Sequence, residues 1–183
     1  MSLLESIDVP LGTIAPDFQL KGVDGNVYSF VDFKERSILV IVFMCNHCPY
    51  VQACIERLIA LQRDFIDRGV RFIGINPNDA LDVPEDDFEA MKVFARERDM
   101  NFPYLRDETQ QIAKAYKAVC TPDVFVYDDQ RALQYHGRID NNWRDISKVT
   151  SQDLRVALEA IINHKKVDSA QLPSMGCSIK WKQ

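Results

Sequence analysis

No basic n-region and no apolar stretch of seven residues opens the chain. It begins Met-Ser-Leu-Leu-Glu-Ser-Ile-Asp, which is not the pattern of a secretory signal peptide. The longest strongly apolar run, Ser37 to Cys45, is nine residues, far short of the roughly 20 that a membrane-spanning helix needs. Nowhere do five like charges stand together, and the net charge is −5, so nothing draws the chain to a nucleic-acid backbone. Glycine (7) and proline (8) are too few among 183 residues for a collagen-like or linker-like chain, and no internal repeat breaks it into arrays. With 46% apolar residues, the length suffices for one core that holds together without staples. A single domain over residues 1–183 is expected, with 165–183 as a C-terminal tail.

Cysteine is also scarce. The five, Cys45, Cys48, Cys54, Cys120 and Cys177, are odd in number and mostly isolated, unlike the dense even set of a secreted disulfide scaffold. This usage predicts a cytoplasmic protein whose thiols are reduced by default. A close pair in that setting points to chemistry or metal binding rather than to a structural bridge.

The hydrophobic pattern alternates strands and helices. Phe18 to Leu20 and Asn26 to Phe30 flank Gly22-Val23-Asp24-Gly25, which suits an N-terminal hairpin. Ser37 to Phe43 lacks polar alternation, as a strand covered on both faces does. From Pro49 to Asp67 the apolar positions Val51, Cys54, Ile55, Leu58, Leu61 and Phe65 recur at three and four, giving an amphipathic helix closed by Gly69. Val70 to Asn76 then completes a right-handed βαβ unit. Further helices are predicted over Glu85 to Arg98, with Glu85, Asp86 and Asp87 as its acidic first turn, over Glu108 to Ala118, and from a Thr150 or Ser151 cap to His164. Asp123 to Tyr127 and Ala132 to Arg138 read as an antiparallel pair. The fold class is α/β: a mixed central sheet flanked by helices, with an N-terminal hairpin and an extended C-terminal tail.

Cys45-Asn46-His47-Cys48 stands between the buried strand and the first helix. Unpaired N–H groups at a helix N-terminus favour an anion, so Cys45 is the expected nucleophile and Cys48, one turn on, the resolver that closes the Cys45–Cys48 disulfide. An imidazolium at His47 would lower the Cys45 pKa further and make the pair a better oxidant than the most reducing dithiols, near −270 mV. His47 could equally face solvent. Half a zinc site also has this spacing, but a second pair is missing. Cys45 and Cys48 are the expected catalytic pair, with no metal and no cofactor expected.

Three segments carry a family resemblance. Ala15-Pro16-Asp17-Phe18-Gln19-Leu20 with Asp24-Gly25 resembles the opening of the peroxiredoxin-like AhpC/TSA branch of the thioredoxin superfamily. Phe43-Met44-Cys45-Asn46-His47-Cys48-Pro49 resembles the thioredoxin active-site segment, and Gly176-Cys177-Ser178-Ile179-Lys180-Trp181 resembles the ending of a bacterial thioredoxin-family group. The resemblance implies a thioredoxin-like fold and a cis-proline facing the site. Pro122 fits that position, with Thr121 offering backbone groups to an extended substrate. Its partners would be a protein or small-molecule disulfide and a thiol reductant. Three features depart from the pattern. Met44 stands where thioredoxins usually have tryptophan. The strand Leu39-Val40-Ile41-Val42 has no acid, which leaves the proton-transfer base unassigned. No threonine lies three residues before any cysteine, where peroxiredoxins carry one.

Cys120, two residues before Pro122, is either a third redox partner or a buried small side chain. Cys54 lies on the helix stripe and reads as core. Cys177 is either docked beside Trp181 or mobile and reactive, a candidate accessory thiol with Cys120. Asn76 ends a parallel strand, where sites form in open sheets, while Asn78 and Asp79 read as a turn. His136 and His164 read as structural or surface groups. A thiol-disulfide oxidoreductase is the leading function. A thiol peroxidase and a copper or zinc carrier using the Cys45–Cys48 motif are the alternatives.

Overall fold

The computed structural model describes residues 3–33, 38–167 and 170–183. Seven strands form the main sheet in the order β3-β2-β6-β5-β4-β8-β9: β2 Gln19–Gly22, β3 Val27–Ser29, β4 Ile38–Phe43, β5 Val70–Asn76, β6 Tyr104–Arg106, β8 Asp123–Tyr127 and β9 Leu133–His136. The pairs β4–β5 and β5–β6 are parallel, and the rest are antiparallel. All six residues of β4 are buried. At roughly 1.5–3 kcal/mol for each fully buried large side chain, this central strand is a firm mount for the Cys45 that follows it. Of the predicted strand, Ser37 lies outside the described residues.

Helix α1, Pro49–Phe65, buries the predicted stripe. Its end runs through a 3-10 turn to Gly69, whose φ of 80° takes the left-handed conformation that glycine allows. The expected Glu85–Arg98 helix divides in two. Pro84–Asp86 forms a 3-10 turn and α2 spans Phe88–Glu97, because Asp87 rather than Pro84 caps it, accepting from the Ala90 N–H at 2.7 Å. The break turns Asp86 inward, where it is fully buried. Helix α3, Gln111–Tyr116, is shorter than Glu108–Ala118, since Gln110 and Lys117 adopt φ of 62° and 59°. Helix α4 covers Asp153–Ile162; neither Thr150 nor Ser151 is its cap, and Gln152 stands there without a side-chain bond. No helix of the described residues is long and apolar enough to cross a membrane.

A second, three-stranded sheet lies beside the first, without a strand pattern in the sequence to announce it. Its order is β1-β10-β7, built from Leu3–Glu5, Met175–Ser178 and Cys120–Thr121, all antiparallel. The C-terminal tail is therefore a strand laid against the segment preceding Pro122, and Cys177 is buried rather than mobile. Trp181 lies beneath the Lys114 ammonium at 5.5 Å.

Candidate active site

Chain order and fold bring together every residue of the expected centre. Cys45 leaves the buried end of β4, and Cys48 occupies the N-cap of α1 with Pro49 in the first turn, where its missing N–H breaks no helix bond. The Thr121–Pro122 peptide is cis and faces both thiols: Thr121 Oγ1 lies 3.4 Å from Cys45 Sγ, and the Cys48 thiol donates to the Thr121 carbonyl at 3.1 Å. Met44 packs beneath them, beside Gly74, where a Cβ would fall 2.8 Å from its sulfur. Both cysteines are fully buried.

Asp86, expected from the sequence as one of three acids in a helix's first turn, is the centre's organising anion. One carboxylate oxygen accepts from the Asn46 and His47 backbone N–H groups at 2.7 and 3.3 Å. The other accepts from Asn78 Nδ2 at 2.7 Å and faces His47 Nδ1 at 2.5 Å. Asn46 is fixed in turn by the Glu85 carbonyl and the Tyr104 hydroxyl. Asn78, more than a turn residue, accepts from the Lys180 backbone N–H at 2.9 Å and so ties the C-terminal tail to the same network. Asn76 is buried behind it, accepting from the Asn78 N–H. No local pattern marks Asp86 or Asn78; a polar cluster at the carboxyl end of β5 is the one available hint.

Burial pushes the Asp86 carboxyl up, but the bonds from His47 and Asn78 outweigh it and hold the pKa below the usual carboxylate value. Bonding to Asp86 raises His47 against the opposing effect of burial. The imidazolium is thus matched by a carboxylate and adds little net positive charge beside Cys45, whose Sγ is 3.7 Å from Nδ1. This revises the expected electrostatics. Burial, the hydrogen bond to Cys48 and the Asp86 charge push Cys45 up. The thiol drawn down is Cys48, because the bond that Cys45 donates to it, together with bonds from the Val51 backbone N–H and Cys177, outweighs burial. The two sulfurs therefore act as a pair in which one proton is lost readily and the other is held.

Of the other thiols, Cys54 is core, pushed up to about 12 by burial, and bonds within its own helix. Cys120 is buried with its thiol raised by desolvation, and it donates to the Pro122 carbonyl. His136 is buried, stacked on Phe125 and bonded to Asp123 Oδ1 at 2.8 Å, and His164 lies at the exposed end of α4. Asp123 is fully buried opposite Phe43 of β4, and its carboxylate is engaged with His136. Ligand atoms of Cys45, His47 and Asp86 lie within 4.8 Å of one another, close enough for a metal if the His47–Asp86 bond opens.

The AhpC/TSA family model matches residues 11–136. The chain belongs to that family. Among its relatives, the thiol-disulfide oxidoreductase ResA of Bacillus cereus is 27% identical over 125 residues, 68% of each chain. The structure of an uncharacterized conserved protein from Geobacillus kaustophilus is 45% identical, with a TM-score of 0.94 over 100% of this chain and 97% of that one. The thioredoxin domain of a thiol-disulfide oxidoreductase from Bacteroides vulgatus is 19% identical, with a TM-score of 0.59 over 69% of this chain and 86% of that one, a likeness of fold. This AhpC/TSA protein therefore has the thioredoxin-like fold expected of it and the redox chemistry of its family.

Proposed function

We propose that the protein exchanges a Cys45–Cys48 dithiol with disulfides of proteins or small molecules, and is recharged by a thiol reductant in the cytoplasm. The observation that carries this reading is the placement of both thiols against the Thr121–Pro122 cis peptide, at hydrogen-bond distance from Thr121. Cys45 attacks the substrate disulfide while passing its proton to Cys48, and the Cys48 S–H is then held by the Thr121 carbonyl. The substrate's first sulfur leaves as a thiol, protonated by the His47–Asp86 pair. Cys48 returns its proton to the His47–Asp86 pair, attacks Cys45 Sγ, and releases the second sulfur as a thiolate. Two electrons pass from the dithiol to the substrate bond. His47 and Asp86 fill the place of the unassigned base.

A cleft of about 240 Å³ beside Pro122, with Tyr50 and Trp143 among its walls, is suited to hold apolar substrate groups next to the cis peptide. The test is steady-state reduction of oxidised glutathione and of a disulfide-linked peptide with dithiothreitol as donor. Both activities are expected to vanish in Cys45→Ser. Retention of either in that variant overturns the assignment.

A further inference from the structure

We infer that Cys177 is a third redox thiol of this same centre, carried on a strand that occupies the substrate edge, and that the oxidised protein exchanges its Cys45–Cys48 disulfide for Cys48–Cys177. The inference rests on the dithiol reading above and adds an internal partner to it.

Three observations converge. Strand β10 pairs antiparallel with β7 in the register Cys177 opposite Thr121 and Ser178 opposite Cys120. The backbone of the residue before the cis-proline, open to an extended substrate in the family pattern, is therefore already taken by the protein's own tail. The approach is as close as backbone permits: a Cβ on Gly176 would sit 1.9 Å from the Thr121 carbonyl oxygen, so only glycine fits beside the cysteine. Finally, the Cys177 thiol hydrogen-bonds to Cys48, the sulfur that also touches Thr121. Lys180 and Lys182, anchored on Asn78 and Gln110, fix the segment from its far end. The tail thus holds a thiol where a substrate's sulfur would be presented.

The exchange is balanced within the protein. Cys177 gives up its proton and its sulfur attacks Cys48 Sγ. The Cys45–Cys48 bond breaks, the Cys48–Cys177 bond forms, and Cys45 leaves as a thiolate that regains a proton. No electron is gained or lost, and the starting disulfide is the product of the proposed activity. In the reduced protein, burial and the bond to Cys48 push the Cys177 thiol up to about 12, so it is idle until Cys48 is oxidised and loses its negative charge. The exchanged form has the tail covalently closed over the cis peptide and leaves Cys45 as a thiol.

Full-length protein oxidised with one equivalent of diamide, quenched in acid, alkylated with N-ethylmaleimide in denaturant and digested with trypsin decides the matter. Cleavage places Cys45, Cys48 and Cys54 in residues 37–57, Cys120 in 118–131 and Cys177 in 167–180. The expected product joins 37–57 to 167–180 through Cys48, with the label on Cys45. Cys45→Ser should yield that cross-link alone, and Cys177→Ser the disulfide within 37–57 alone. Labelled Cys177 throughout the oxidised wild type and oxidised Cys45→Ser, or a cross-link to 118–131 instead, overturns the inference while an internal Cys45–Cys48 disulfide leaves the dithiol reading standing. Absence of every disulfide at Cys48 overturns both.

Discussion

His47 Nδ1 lies 2.5 Å from Asp86 Oδ2, across 39 residues of chain, and this bond decides what the histidine of the Cys-Asn-His-Cys segment does. A lone imidazolium beside a thiol would stabilise its thiolate. Paired with a buried carboxylate, it becomes a proton donor and acceptor of nearly zero net charge.

Replacing Asp86 with Asn removes the charge and leaves an amide unable to satisfy the same four donors. Deleting one partner of a buried ion pair costs about 3–5 kcal/mol, and Asp86→Asn is expected to lose stability of that order in urea denaturation, with the Cys45 thiol becoming more acidic in its alkylation rate. An unchanged midpoint would show that the network does not brace the site.

The pH dependence has a fixed sign. The His47 pKa is raised above 6.5 in the folded protein, so its share of stability is complete below 6.5 and declines as pH rises through the higher folded value. The Asp86 pKa is lowered from 3.8, so its share is present above 3.8 and is lost as pH falls through the lower folded value. The pair therefore contributes most between these ordinary values. In His47→Ala the decline above pH 6.5 should flatten, read as the denaturation midpoint against pH; an identical profile would remove His47 from the linkage.

The parts of the site that are local in sequence were legible there. An unbroken apolar run gives β4, a three-and-four period gives α1, and Cys45 and Cys48 declare their chemistry by spacing between the two. Asp86 was not legible, because Pro-Glu-Asp-Asp is good helix-start chemistry and the groups that turn one of those acids inward include His47 and Asn46, some forty residues away, besides the nearer Asn78. The tail was not legible either. Met-Gly-Cys-Ser has no alternation, and β10 exists because Gly176 allows contact with Thr121, a pairing set by distant chain. Strand β6 is only three residues long and follows Pro103, too short to show a period.

Gly176→Ala tests that contact. A methyl group 1.9 Å from the Thr121 carbonyl oxygen forces β10 off β7, because backbone cannot yield as a side chain does. A loss of about 1–3 kcal/mol is expected, with faster amide exchange across residues 175–178. Unaltered exchange would mean that the strand does not depend on the close approach.

Removing the imidazole of His136 should be costly for a different reason. Asp123 is fully buried, its Oδ2 accepts no hydrogen bond among the described residues, and His136 holds its Oδ1. His136→Ala is expected to destabilise by about 1–3 kcal/mol, the cost of leaving a buried polar group without its hydrogen bond, whereas the double change with Asp123→Asn should recover part of the loss. Equal midpoints for the single and double variants would contradict the pairing.

Metal analysis separates redox chemistry from carriage. The His47–Asp86 bond uses one ligand atom of each residue on the other, so protein purified under reducing conditions is expected to hold no stoichiometric zinc or copper. Bound metal that is lost in Cys48→Ala would favour the carrier instead.

The most direct test traps the first half of the exchange. Cys48→Ser retains Cys45 but removes the resolving sulfur, so incubation with oxidised glutathione should leave a stable glutathione adduct on Cys45, located by mass spectrometry, while the wild type clears it and loses two thiols. An adduct on any other cysteine, or an unmodified Cys45 in that variant, would contradict the assignment of Cys45 as nucleophile and Cys48 as resolver.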